Sequence, residues 1–308
     1  MASIKVREIS GNWPARTPAY LYPILTPTPT PPTPPGPIPP EPDERHIVIP
    51  EGTTTIEANA YKDNTTIEYV YIPQSVTTIE SGAFQNCESL NEIVIVPGGL
   101  TRIEDYAFYR TGITSYTLPQ TVIYIGHEAF GTCSQLTTIT IPTGIDWGNI
   151  VLGQSIFSRN SKLTTINLPN DMQRISLGMF QSTGITHLEL PSSVTGVGDL
   201  AFSKCASLST VTLNSVLRVI SDESFEYTAI TSIDIPDTVT KIGTWAFRSC
   251  KSLTEVHIGS GIITMDDYIF AGCTSLTDIY INLPSTQSQI TVPDDKWGAS
   301  NATIHFVG

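Results

Sequence analysis

An aromatic residue returns at nearly fixed intervals through most of this chain. It stands at Tyr61, Phe84, Phe108, Phe130, Phe157, Phe180, Phe202, Phe225, Phe247 and Phe270, at spacings of 23, 24, 22, 27, 23, 22, 23, 22 and 23 residues. Such a period means that one small unit is repeated and stacked, which predicts a solenoid. A single unit has only a thin apolar layer and cannot fold alone, whereas stacking buries those layers against one another as a continuous core.

Each part of a unit has a physical role. In the copy from Ile72 to Ile95, Leu90, Ile93 and Ile95 are the apolar positions of a short strand, and Ile93 and Ile95 alternate as a half-buried strand requires. A proline follows the strand in most copies, at Pro73, Pro119, Pro142, Pro169, Pro191 and Pro236, where it ends pairing and turns the chain. The run Val76 to Ile79 reads as a second short extended piece. Ala83 and Phe84 then open a helical turn or irregular loop, in which the small Ala permits close approach and Phe plugs the centre. At about 1.5–3 kcal/mol for each buried Phe, the plugs form the main cohesive column.

The pattern Ile-Pro-x-x-Val-Thr-x-Ile, three further residues, then Ala-Phe-x-x-Cys-x-x-Leu resembles the BspA-type leucine-rich repeat, a family of surface proteins of oral and gut bacteria and of some protists. The resemblance covers about residues 47–283. It implies a leucine-rich-repeat solenoid with short parallel strands on one face and loops or short helical turns on the other. About ten coils of 22–24 residues are expected. The stretch from Ile290 to Trp297 resembles the segment that often closes such arrays, so 284–308 is expected to be a C-terminal cap, which would also cover an otherwise exposed apolar end.

Composition changes sharply ahead of the repeats. Of 23 prolines, thirteen fall between Pro14 and Pro42. Residues 26–46 therefore read as a proline-rich linker of polyproline-II type, its densest part reaching roughly 50 Å at about 3.1 Å per residue. Residues 1–25 read as an anchoring segment: Ile4, Val6 and Ile9 partly alternate as a strand would, and Trp13, Tyr20 and Tyr22 supply aromatic anchors. The first ten residues have scattered charges and lack the apolar core of a signal peptide. No run approaches the roughly 18 apolar residues that span a bilayer, so direct membrane insertion is not expected. The chain carries a net charge of −13, all of it beyond residue 46, where an acidic body repels phosphate backbones and argues against nucleic acid.

Motifs that carry chemistry are missing. Cys87, Cys133, Cys205, Cys250 and Cys273 all stand three residues after the aromatic, a slot that elsewhere holds Thr111, Asn160, Thr183 or Thr228. A position that accepts Cys, Thr or Asn is a small, weakly polar structural site and not a metal ligand. Cys250 and Cys273, on adjacent coils, could lie close enough to bridge, but a bridge is not expected, and the odd count argues against a disulfide framework. Five scattered histidines form no metal or triad spacing, and no phosphate loop appears. No enzyme activity, cofactor or metal is expected.

Stacking aligns equivalent strand positions into outward columns. The binding candidates on this face are Tyr69, Tyr71, Thr138, Thr165, Asn167, His187, Glu189, Asp234, His257 and Tyr280. Thr and Ser also favour exposed strand positions for conformational reasons alone. Against that stand tyrosines at both ends, since Tyr is enriched in recognition surfaces, and acids and histidines toward the C-terminus. Such a face suits protein or glycan ligands. The unit between Pro142 and Phe157 is longer than the rest, either a tolerated bulge or a binding protrusion carrying Trp147. Two display-and-bind roles follow: a surface-exposed, adhesin-like protein, which the family resemblance implies, or a decoration or fibre protein of a phage virion that contacts host or mucosal surfaces. In both, residues 1–46 attach to a larger particle or surface.

Overall fold

Twenty-one short strands wind through a succession of stacked coils in the computed structural model, which describes residues 41–283, 290–293 and 295–307. The anchoring segment and residues 26–40 of the proline-rich linker lie outside these residues, and so do Ile4, Val6, Ile9, Trp13, Tyr20 and Tyr22. Each coil contributes two extended pieces. The longer ones form a front row that begins at His46–Val48, Tyr69–Ile72 and Glu92–Ile95; the two-residue ones form a back row that begins at Thr55–Ile56 and Thr78–Ile79. All pairing between coils is parallel, as in Tyr69 with Glu92 and Ile56 with Ile79. A further strand, Thr303–Phe306, ends the front row.

The aromatic column forms as the spacing demands. Successive rings from Tyr61 to Phe270 stack with centroids 5.1 to 6.0 Å apart. Every Phe of the column is fully buried. The alternation predicted for the strands also holds: in Ser115–Thr117, Thr138–Thr140 and His187–Glu189 the central residue is buried and its neighbours are exposed.

The third side of each coil is not helical. Residues two before and two after the aromatic adopt the left-handed conformation in every copy, for example Tyr106 (φ 57°) and Arg110 (φ 56°) around Phe108. That conformation costs an L-residue roughly 1–2 kcal/mol. Here it is stabilised by a third hydrogen-bond ladder between coils, in which the Gly82, Phe84 and Asn86 amides donate to the carbonyls of Asp105, Ala107 and Tyr109 at 2.9, 2.8 and 2.9 Å. A helix would turn these donors along its own axis and lose the ladder. The residue before the aromatic is often Ala but also Ile156, Met179 and Ile269, all buried, so the position packs the core and does not require a small side chain.

The slot three residues after the aromatic has a defined bond. Cys133 donates its Sγ–H to the carbonyl of Phe108 on the preceding coil at 3.2 Å, Cys205 to Phe180 at 3.1 Å and Cys273 to Phe247 at 3.0 Å. Asn160 reaches Phe130 in the same way through Nδ2 at 3.0 Å. All five cysteines are buried free thiols. Burial pushes the thiols of Cys87, Cys133 and Cys205 up to about 11, away from the reactive thiolate. Changing all five to Thr is expected to leave a folded protein whose thermal melts agree under reducing and oxidising conditions; a redox-dependent shift in the unaltered chain would show that the thiols do more than fill space.

The coils are not uniform, and their irregularities set the geometry of the front face. Three coils, those of Phe108, Phe180 and Phe225, lead into the 22-residue spacings, carry Thr in the slot and have one residue fewer between aromatic and strand. The front ladder is interrupted at the strand that follows each of them: Ser115–Thr117, His187–Glu189 and Ser232–Ile235 each start a new sheet. The back row breaks once, between Val151–Leu152 and Arg174–Ile175, after the lengthened coil.

Candidate functional site

Both ladders therefore part at the same junction, between the coil of Phe157 and the coil of Phe180. The turn ladder remains intact there, with the Ser155, Phe157 and Arg159 amides donating to Leu177, Met179 and Gln181 at 2.9, 3.0 and 2.7 Å. Where strands are hydrogen-bonded they sit about 4.7–4.9 Å apart and leave no gap. Where they part, a recess opens. On the front face it has a volume of about 750 Å³ and runs across the strands Thr165–Asn167, His187–Glu189 and Thr210–Thr212.

The recess has a mixed character. Exposed Thr165, Asn167, His187, Glu189 and Thr212 give it hydroxyl, amide, imidazole and carboxylate groups, while Ile166, Leu168 and Leu213 contribute half-buried apolar surface. One wall is fixed by Asn214, whose Nδ2 donates to the Val194 carbonyl at 2.9 Å and whose Oδ1 accepts the Val216 amide at 2.9 Å. A few placed polar groups over apolar surface are what a recognition site requires. No group of three or more metal-ligating side chains occurs among the described residues.

Four of the ten front-face candidates, Thr165, Asn167, His187 and Glu189, are brought together in this recess. Thr138 pairs with Thr165 on the adjoining strand and is exposed beside it. Asp234, His257 and Tyr280 lie farther along in one column, with Asp234 opposite His257 and His257 opposite Tyr280. They belong to a second cluster. His257 and Tyr280 stack at 4.7 Å, and Tyr280 stacks on His305 at 4.6 Å. The His305 Nε2 lies 2.7 Å from Asp278, and that contact, with the Thr277 hydroxyl, holds the Asp278 carboxyl below its ordinary value. His305, which the sequence does not single out, lies in the expected C-terminal cap on Thr303–Phe306, a front-row strand paired with Asp278–Ile281. Its alternation, Thr303 and His305 against Ile304 and Phe306, was the available signal.

Two expectations require correction. Tyr71 is only 8 % exposed and so is not presented for binding as the column assignment implied; it lies between Val48 and Val94 in the pairing register, in the apolar first part of the front face. Tyr69, at the other outward position of that strand, is half-buried. Trp147 does not project. Its ring is partly buried against the core, and its Nε1–H donates to Asp171 at 3.1 Å while the Gly144 amide donates to the other oxygen of the same carboxylate at 2.6 Å. These two donors, the Gly144 amide foremost, hold the Asp171 carboxyl below its ordinary value. The lengthened coil is pinned down by one acceptor on the next coil.

Comparison with known proteins agrees with this architecture. Similar folds occur in a leucine-rich repeat protein from Bacteroides ovatus (24% identity, TM-score 0.72, covering 85% of this chain and 68% of that one) and in a leucine rich cell surface protein from Faecalibacterium prausnitzii (24%, 0.52, 86% and 88%). A leucine-rich repeat protein from Eubacterium ventriosum is similar at 19% identity and a TM-score of 0.56, over 84% of this chain and 71% of that one. No curated protein matches the chain. The model of the BspA type leucine rich repeat region matches six copies across residues 54–183 and 173–292, most of the coiled part, and the chain belongs to that family.

Proposed function

We propose that this protein is a non-enzymatic, surface-displayed binding scaffold that seats a protein ligand in the central front-face recess. The observation that carries this reading is the break in the front ladder beside His187–Glu189, which opens about 750 Å³ among exposed polar side chains. A continuous sheet would offer only a flat, hydroxyl-covered surface, whereas a recess with apolar surface below a polar rim can bury an anchor side chain. Membership of a family of repeat scaffolds supports the same role, as does likeness in fold to a protein described as a cell surface protein. The N-terminal residues 1–46 serve as the attachment to a larger particle or surface in this proposal.

The test uses the full chain on an array of purified extracellular proteins. Asn167→Arg and Glu189→Lys, both on exposed positions, are expected to weaken the best ligand at least tenfold, the effect of losing a central contact. Arg218→Glu, exposed on the turn into the back row, should leave affinity unchanged. Equal binding by all three variants would place the ligand elsewhere and reject the recess.

A further inference from the structure

The parting of the back row creates a second recess, of about 590 Å³, that the front-face reading does not use. It lies between the lengthened coil and the two coils that follow. Trp147 forms part of its wall, and Gln154, Gln173, Arg174 and Asp199 line it with exposed side chains. Ser176 also lines it, and its buried hydroxyl finds no hydrogen-bond partner among the described residues. We propose that this recess is a binding site for a short neutral oligosaccharide.

The chemistry of the lining selects that class. The face of an indole carries negative charge density and attracts the polarised C–H face of a pyranose ring. Gln, Arg and Asp end in planar groups with two adjacent donors or acceptors, which match the paired hydroxyls of a sugar. The volume of about 590 Å³ falls within the about 300–1,000 Å³ typical of small-ligand sites, which suits a short oligosaccharide. An anionic ligand is disfavoured, because Arg174 is balanced by Asp199 and the whole chain carries −13. A lipid would leave the amide and carboxylate groups without partners. A peptide strand has little ladder to join, since the parted strands Val151–Leu152 and Arg174–Ile175 are two residues each.

The site is also preorganised. Asp171 holds the Trp147 indole edge and the Gly144 amide together, so the ring orientation is fixed before any ligand arrives. Prior ordering of this kind removes part of the entropic cost of binding. Because the Nε1–H of Trp147 is already bonded to Asp171, what the indole offers to the recess it lines is ring carbon surface.

The full chain is to be screened on an array of neutral glycans and titrated with lactose, maltotriose and mannotriose, followed by saturation-transfer NMR and tryptophan fluorescence. Saturable binding to at least one glycan is expected. Trp147→Ala should weaken it at least tenfold, and so should the double change Gln154→Ala with Gln173→Ala, whose exposed side chains are not needed for folding. Trp245→Phe, an exposed residue on the turn side, should have no effect. Glu189→Lys should also leave glycan binding intact, so that failure of the protein site and failure of this one read differently. Absence of saturable binding across the array, equal binding by the recess variants, or displacement by peptides but not sugars would each overturn the proposal.

Discussion

Replacing Phe180 with Ala is expected to cost about 3–5 kcal/mol and to split the denaturant melt of the coiled region into two steps. The first part follows from the ring's complete burial between Phe157 and Phe202, at 5.8 and 5.7 Å, because a cavity in a stacked column has no side chain free to refill it. The second part follows from where Phe180 sits. Both strand ladders are interrupted between its coil and that of Phe157, so the two halves are coupled through the turn ladder, the ring stack and the Asp171 contacts. Repeat arrays lose cooperativity when one interface is weakened. Thr165→Ala, on the exposed front face, should stay within about 0.5 kcal/mol. Hydrogen exchange across residues 41–307 would locate the two steps; a single transition with a small loss would contradict both the burial and the weak junction.

A second large effect is expected at Gly261. A Cβ placed there would lie 1.8 Å from the carbonyl oxygen of Asp237 on the preceding coil, and a Cβ placed at Gly99 would lie equally close to the carbonyl oxygen of Gln74. The obstacle is backbone, which cannot rotate away as a side chain would. Gly261→Ala therefore has to spread two coils apart, and a cost of about 1–3 kcal/mol, the range for forced overpacking, is the expected result. Gly196 provides the contrast. Nothing lies within 4 Å of its built Cβ, so Gly196→Ala should be neutral or stabilise by about 0.4–1 kcal/mol through the unfolded chain. Similar melting of the two variants would mean that the coils stack more loosely than this geometry requires.

The sequence alone determined a good deal. The ten aromatics and the alternation of the front strands define which side chains face inward, because each unit repeats the same short-range pattern and burial of one apolar layer against the next leaves few alternatives. The thiol slot was legible for the same reason: in the nine phenylalanine coils five Cys, three Thr and an Asn at one position describe a small, weakly polar structural site, and the structure adds its bond to a backbone carbonyl. Even the 22-residue spacings held information, since each marks a coil one residue short before its front strand.

What that shortening does was decided only in three dimensions. Strand pairing is a property of two neighbouring coils and not of either one, so a missing residue in one coil or an insertion in the next shows its effect only when both are stacked. The left-handed residues around each aromatic have the same origin, because L-residues such as Tyr106 and Trp245 accept that conformation for the sake of a ladder to the next coil. Tyr71 looked available in sequence and is buried in the stacked array, and the indole N–H of Trp147 is taken up by Asp171 on the following coil. The two recesses exist because front and back ladders fail at one junction while the turns between them hold, a coincidence of three ladders that no single repeat encodes.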